Sequence, residues 1–216
     1  MKKSKAETAE TRKRIVRAAA QAFRSNGIRA TGVAEIMSAA GLTHGGFYRH
    51  FASKDHLVAE ACAAGMESTL DAVDASAKDG EQAFIEHFQT YLWDRNRRDC
   101  LGECPLIAMG SELARADIET RRAATTGYRE LISSMAAKGA SNSGAAIFAF
   151  SSILGALTIS RIVDDPELSN QILMETKKRV TELWLKVSEP DASATASDEL
   201  AKEADFIENL PNAAGS

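Results

Sequence analysis

Apolar residues along this chain recur at helical rather than alternating spacing. Ile15, Ala18, Ala19, Ala22 and Phe23 fall on one face, and the pattern stops at Asn26-Gly27. Such a pair ends helices because glycine tolerates the left-handed conformation needed after the last turn. Val33, Ile36, Met37 and Ala40 repeat the i, i+3, i+4, i+7 spacing until Gly41. Gly32 stands at the N-cap of that second helix, and Glu35 lies in its first turn, facing the positive end of the helix dipole. Thr43 is placed to cap a third short helix reaching about Phe51, and Ser53 a fourth whose first turn contains Asp55. Tight turns between such short helices predict a compact three-helix unit.

Beyond it the pattern predicts helices over 54–78, 81–98, 106–116, 118–138, 144–164 and 166–187, with Gly80, the Cys100–Pro105 loop, Gly139 and Pro166 as breaks. No stretch combines alternating, β-branched-rich sequence with hairpin turn residues. The expected fold class is therefore all-α, with an N-terminal three-helix unit over 1–53 and a helical domain over 54–187. From Ser188 the composition shifts to Ser, Ala, Asp, Pro and Gly, so 188–216 is expected to be a disordered tail apart from a short helix over 198–210.

The 216 residues are 44% hydrophobic and 26% charged, ordinary for a soluble globular protein. A net charge of −4 taken alone argues against a nucleic-acid partner. Residues 1–60, however, hold 11 Lys+Arg against 5 Asp+Glu, and the remainder hold 15 against 25. A net of +6 followed by a net of −10 describes a basic module suited to a polyanion and an acidic body that stays away from it.

Three cysteines, Cys62, Cys100 and Cys104, are an odd number, and no charged-then-apolar leader precedes the first helix. A reducing, cytoplasmic setting is expected. Between Lys138 and Arg161 no residue is charged, nominally enough to span a bilayer. That stretch opens Gly139-Ala-Ser-Asn-Ser-Gly144 and carries Ser151, Ser152, Thr158 and Ser160, so it reads as a buried helix, and no membrane association is expected.

A helix-turn-helix needs a short helix, a sharp turn with a small residue, and a second helix whose N-terminal side chains reach base edges. Residues 33–50 fit. Gly41 supplies the turn, Leu42 fills the angle, and Phe47 and Phe51, four apart, anchor the reading helix from behind. Thr43, His44, Gly45, Tyr48 and Arg49 are left on the outer face. The adjacent Gly45 and Gly46 cost a short helix about 1 kcal/mol each relative to alanine. Either the backbone must approach DNA closely, or a neighbouring helix needs the room.

Residues 12–58, above all Gly41-Leu-Thr-His-Gly-Gly-Phe-Tyr-Arg-His-Phe-Ala-Ser-Lys-Asp-His-Leu57, resemble the DNA-binding domain of the tetracycline-repressor (TetR) family. The resemblance implies that Thr43, His44 and Gly45 touch bases, and that Tyr48, His50 and Lys54 hold phosphates, which fix register without reading sequence. On residue chemistry alone, Tyr48 also suits a partly buried aromatic cap and His50 a surface histidine. The pattern departs from the family where the second helix begins: Gly32 replaces a usual Ser or Thr, and Ala34 a frequent Arg. Arg29, Thr31 or the Lys2-Lys3-Ser4-Lys5 segment are the candidates to substitute electrostatically.

The resemblance also makes 54–187 an effector-binding and dimerisation domain. Helix 144–164 is apolar almost all round and is expected to be buried on every side, with Val180, Leu183, Trp184 and Val187 striping the next helix. Phe150, Leu154 and Leu157 with Val180, Leu183, Trp184 and Val187 are the expected faces of a four-helix homodimer interface. Phe84, Phe88, Tyr91, Trp93, Leu106, Met109 and Leu113 come from segments that in TetR-like proteins enclose a small-molecule effector, although helical spacing equally makes them core. Cys100 and Cys104 lie in a loop where some TetR-like regulators carry a redox-sensing cysteine; Arg97 and Arg98 nearby would favour a thiolate, whereas inert cysteines are the commoner case. A zinc site is disfavoured, since Cys-x3-Cys lacks two nearby partners and His87 is remote, and no metal or cofactor is expected.

An enzyme is disfavoured because the chain has no Gly-x-Ser-x-Gly elbow, phosphate-binding glycine loop or HExxH, and no strand–helix alternation to hold a dinucleotide. The expected function is a DNA-binding transcriptional regulator, a repressor released from a palindromic operator by a small-molecule or thiol-reactive effector. A helix-turn-helix protein of non-transcriptional role, such as nucleoid organisation, shares every residue named.

Overall fold

Gly27 (φ +84°) and Gly41 (φ +67°) turn the chain at the two corners of its N-terminal unit. A side chain is strained in this left-handed region, which is why both predicted stops are real. A computed structural model describes residues 5–78, 83, 86–87, 104–138 and 142–185. Helix α1 covers Lys5–Asn26 and closes with the Gly27 N–H donating to the Phe23 carbonyl at 2.8 Å. Helix α2 covers Val33–Ala39 with Gly32 at its N-cap, extended at φ −87° and ψ 150° and with no hydroxyl to cap the turn.

The third short segment, His44–Arg49, is a 3₁₀ helix rather than an α-helix. Gly46 N–H bonds the Thr43 carbonyl at 3.0 Å and His50 N–H the Phe47 carbonyl at 2.9 Å, both three residues apart. Six residues with two adjacent glycines gain few i to i+4 bonds and have low helix propensity, so the tighter winding wins. Thr43 is the N-cap residue, but its side chain makes no capping hydrogen bond, which corrects the expected cap.

Helix α3 covers Lys54–Lys78, with the Ser53 hydroxyl accepting from the His56 N–H at 3.0 Å as the sequence predicts. Helix α4 covers Pro105–Leu113 with a kink at Met109 (φ −130°, ψ 15°). Helix α5 covers Ile118–Lys138, α6 Ser143–Ile162 and α7 Pro166–Leu185. Asn142 caps α6 through its side-chain oxygen, 2.8 Å from Ala145 N, and Asp165 caps α7 on Glu167 N at 2.8 Å. No strand occurs among the described residues, in keeping with an all-α chain. Most of helix 81–98 and the tail from 188 lie outside the described residues.

Packing follows from α3, which at 25 residues and about 1.5 Å each is long enough to run from the three-helix unit into the body. One end packs on α1; along its length it lies against α5 in the most extensive pairing among the described helices. That pairing depends on Gly127, where a Cβ would lie 2.4 Å from Met66 Cβ. Lys138 of α5 also pairs with Asp74 of α3 and, by donating to it, holds that carboxyl below its ordinary range. Helix α6 packs on α5 and α7. The core is continuous, with Ile15, Ile36, Met37, Phe47 and Leu57 fully buried at one end and Met66, Leu131, Met135, Ile153 and Trp184 at the other.

Helix α6 corrects an expectation. One face, Ala146, Ala149, Phe150, Ile153, Ala156 and Leu157, is buried against its own chain. The opposite face leaves Ile147, Phe148, Ile159 and Ile162 between 46% and 74% exposed. Phe150, Leu157, Val180 and Trp184 are therefore core residues of one subunit rather than interface residues. Leu154 and Leu183 are half-buried against the same core, and Val187 lies outside the described residues. An all-round apolar helix gives no phase from which to choose its inward face, and the small Ala146, Ala149 and Ala156 settle it by admitting α5 and α7 closely.

Candidate nucleic-acid interface

The 3₁₀ segment is held from behind by aromatic packing. Phe47 is fully buried and stacks on Phe51 with ring centroids 5.6 Å apart. Arg12 of α1 lies over the Phe51 ring, its guanidinium 4.2 Å from the centroid. The same guanidinium donates to the His50 carbonyl and pairs with Glu60 of α3. Arg12 thus ties α1, the end of the 3₁₀ segment and α3 together at one point. The sequence pattern gives no sign of this role, because a lone Arg on a basic helix reads as solvated charge.

With that face fixed, Thr43, His44, Gly45, Tyr48 and Arg49 all point outward as predicted. Tyr48 is 70% exposed, with only an edge contact to Phe47, so it is not a buried aromatic cap. A Cβ at Gly45 would meet nothing within 4 Å, and one at Gly46 would make an ordinary contact with Met37 Cε at 3.5 Å. No neighbouring helix needs the room. His50 is half-buried beside Phe51, its carbonyl taken by Arg12.

Two predicted residues are placed differently. Thr31 is 1% exposed, and its hydroxyl donates to the Gly27 carbonyl at 2.7 Å, so its side chain is withdrawn from any phosphate. Lys54 is half-buried and its ammonium donates to the Ile28 carbonyl at 2.6 Å, 6.0 Å from the Phe23 ring centroid. It braces the α1–α2 turn instead of extending to solvent. The Thr31 partner is local, four residues back, whereas that of Lys54 is set by a tertiary contact 26 residues away. Arg29 keeps its exposed side chain, while its backbone N–H donates to Glu112 Oε1 at 2.9 Å.

In the body, Met109 and Leu113 are buried core residues and Leu106 packs against the same core. Phe84, Phe88, Tyr91, Trp93 and Cys100 lie outside the described residues. The groove of about 1150 Å³ between α1, α3 and α5 is a different place, lined by Arg12, Arg17, Glu60, Glu67, Asp71 and Glu130 among others and too charged for an apolar ligand.

Cys104 is fully buried at the N-cap of α4, and burial pushes its thiol pKa upward. That takes it out of the set of candidate reactive thiols, since only the thiolate attacks. Cys62, also fully buried, is pushed from 9.0 up to about 11 by burial and by its neighbour Cys104. Alkylation of the folded protein near neutral pH is expected to spare both, with full labelling in denaturant, read by mass spectrometry. A native adduct on Cys104 would contradict the placement. The sign of the linked pH effect also follows. An unfolded Cys62 ionises near 9.0 and the folded one near 11, so stability from this group is constant below about pH 9 and declines between those values.

Residues 15–61 match the family model described as bacterial regulatory proteins, tetR family. The regulator TtgR of Pseudomonas putida is 41% identical over 58 residues, 27% of this chain and 28% of TtgR. The regulator AcrR of Shigella flexneri is likewise 41% identical, over 59 residues and 27% of each chain. The matched stretch therefore spans little more than a quarter of the length of these curated relatives. The fold extends the likeness across the body. Reduced E. coli NemR superposes with a TM-score of 0.68 at 17% identity, covering 81% of this chain and 96% of NemR. A TetR transcriptional regulator from Chloroflexus aurantiacus gives 0.61 at 24% identity, covering 82% and 97%. Residues 15–61 thus match the tetR family of bacterial regulatory proteins in sequence, and the helical chain as a whole shares the fold of these solved structures.

Proposed function

We propose that the protein works as a homodimeric transcriptional regulator, a repressor that leaves a palindromic operator when a small apolar effector occupies the body. The observation that carries the DNA reading is the outward edge Thr43-His44-Gly45, with Tyr48 and Arg49 beside it, on a segment whose inner face is locked by Phe47. Gly45 has open space around it and a negative φ, so nothing inside the chain calls for glycine there. Close approach of a DNA backbone gives that residue its reason. Tyr48 and Arg49 are suited to phosphates, and the basic N-terminal unit supplies the long-range attraction.

A second copy is the occupant that the exposed strip of α6 calls for. Ile147, Phe148, Ile159 and Ile162 share one face with Ser151, Gly155 and Thr158, and Leu168 and Met174 of α7 add further exposed apolar surface. The strip meets its own copy about a two-fold axis, which sets two reading segments roughly 34 Å apart, one duplex turn. Because α3 joins the Ser53-capped end of the DNA-binding unit to the body, a ligand that shifts α3 changes this spacing.

Selection of bound fragments from a random duplex pool tests the reading. A palindromic consensus that is lost on adding a small apolar ligand is expected. Retention without sequence preference and without ligand response would instead favour an architectural DNA-binding role. His44→Ala is expected to change the selected sequence while sparing non-specific affinity, measured by the same selection; an unchanged consensus would remove His44 from the reading edge.

A further inference from the structure

The turn between α1 and α2 is gripped from both sides by charged residues of the body helices. Near the end of α4, the Glu112 carboxylate accepts the Ile28 N–H through Oε2 at 2.9 Å and the Arg29 N–H through Oε1 at 2.9 Å. From α3, the Lys54 ammonium donates to the Ile28 carbonyl at 2.6 Å. Both backbone groups of Ile28 are thus taken by opposite charges from different helices, more than twenty and eighty residues away in sequence. Gly27 completes the fit, since a Cβ there would lie 3.0 Å from Glu112 Oε2.

We propose that Glu112 is a positioning residue for DNA recognition: its bidentate grip on the Ile28 and Arg29 amides docks the helix-turn-helix onto α4 at a fixed angle. This rests on the reading of the protein as a DNA-binding regulator. The Ile28 and Arg29 N–H groups lie past the end of α1 and outside its hydrogen-bond ladder, so they need partners from elsewhere, and hydrogen bonds to a carboxylate are stronger than those to water or a neutral oxygen. Glu112 is acidic near the end of an otherwise uncharged, apolar helix, Pro105-Leu-Ile-Ala-Met-Gly-Ser, where an acid gains nothing from the helix dipole. Its place is explained by the turn it holds. Because the grip is on backbone, it survives changes of side chain at 28 and 29 and transmits the orientation of α4 itself. Three residues earlier α4 is kinked at Met109, so the direction in which Glu112 reaches is set by that kink.

The test uses the full chain, and its first readout needs no DNA. Amide hydrogen exchange at Ile28 and Arg29 is expected to rise by about tenfold or more in Glu112→Ala, with a smaller rise in Glu112→Gln, which keeps one acceptor, while the Phe47 and Leu131 amides stay unchanged. Affinity of Glu112→Ala for a selected duplex is expected to fall by about tenfold. The coupling itself is read by Gly110→Ala, which fits because a Cβ there meets nothing within 4 Å and which stiffens α4 beside its kink. It is expected to change duplex affinity by about threefold when Glu112 is present and not at all in the Glu112→Ala background. Unchanged exchange at the two amides, raised exchange with unchanged affinity, or additive effects of the two substitutions would each overturn the proposal. A wild-type chain that retains no duplex would sink the functional reading, and the DNA role of Glu112 with it; unchanged amide exchange in a wild type that does bind would sink only the positioning.

Discussion

Phe148→Glu is expected to leave the protein folded and monomeric at micromolar concentration, read by light scattering or sedimentation. Phe148 is 57% exposed on α6 in the single chain, so glutamate there costs the isolated subunit little. Across a two-fold interface the substitution occurs twice. An unpaired charge buried in an apolar contact costs about 3–5 kcal/mol, so two of them weaken association by on the order of 10⁴-fold or more. Operator affinity is expected to fall with it, because one reading segment alone contacts half the site. Phe150→Glu is the informative contrast. Phe150 is 3% exposed inside the same helix, and the same change should unfold the body rather than separate subunits. A dimer that persists in Phe148→Glu would place the interface on another face.

Gly127→Ala is expected to destabilise the body by about 2 kcal/mol, a fall in Tm of roughly 4–8 °C for a chain of this size, measured by thermal unfolding. Alanine ordinarily stabilises a helix by about 1 kcal/mol relative to glycine, so the sign of the effect is diagnostic. The new Cβ would sit 2.4 Å from Met66 Cβ and 2.7 Å from Met66 Cγ. Neither atom lies at the free end of a flexible side chain, so α3 and α5 must move apart along their whole contact. An unchanged or higher Tm would mean that these helices do not cross as described.

How much of this the sequence carried differs by element. The corners at Gly27 and Gly41 and the cap at Ser53 each rest on a local rule, and these helix starts and stops were legible for that reason. The outward edge of the reading segment was legible because the fully buried Phe47 leaves its neighbours a single orientation. Its 3₁₀ winding was not, since six residues show too little periodicity to separate three residues per turn from 3.6. The face of α6 that meets its own chain was illegible for the opposite reason, an excess of apolar residues. Lys54 and Glu112 fail together, each decided by a backbone partner that tertiary packing brings from a distant part of the chain, while Thr31 is turned inward by the Gly27 carbonyl four residues back. Cys104 belongs with them, fully buried at the start of α4 beside Thr69 of α3, a setting its loop sequence does not show.

Titration of the full chain against a double-stranded oligonucleotide across ionic strength decides whether the basic N-terminal unit seats its Thr43 edge in a duplex groove. Retention at low salt is predicted, with log affinity falling linearly in log salt at about −0.9 per phosphate contacted, and with one phosphate fewer in Arg49→Ala. A folded protein that retains no duplex even at low ionic strength would contradict the account.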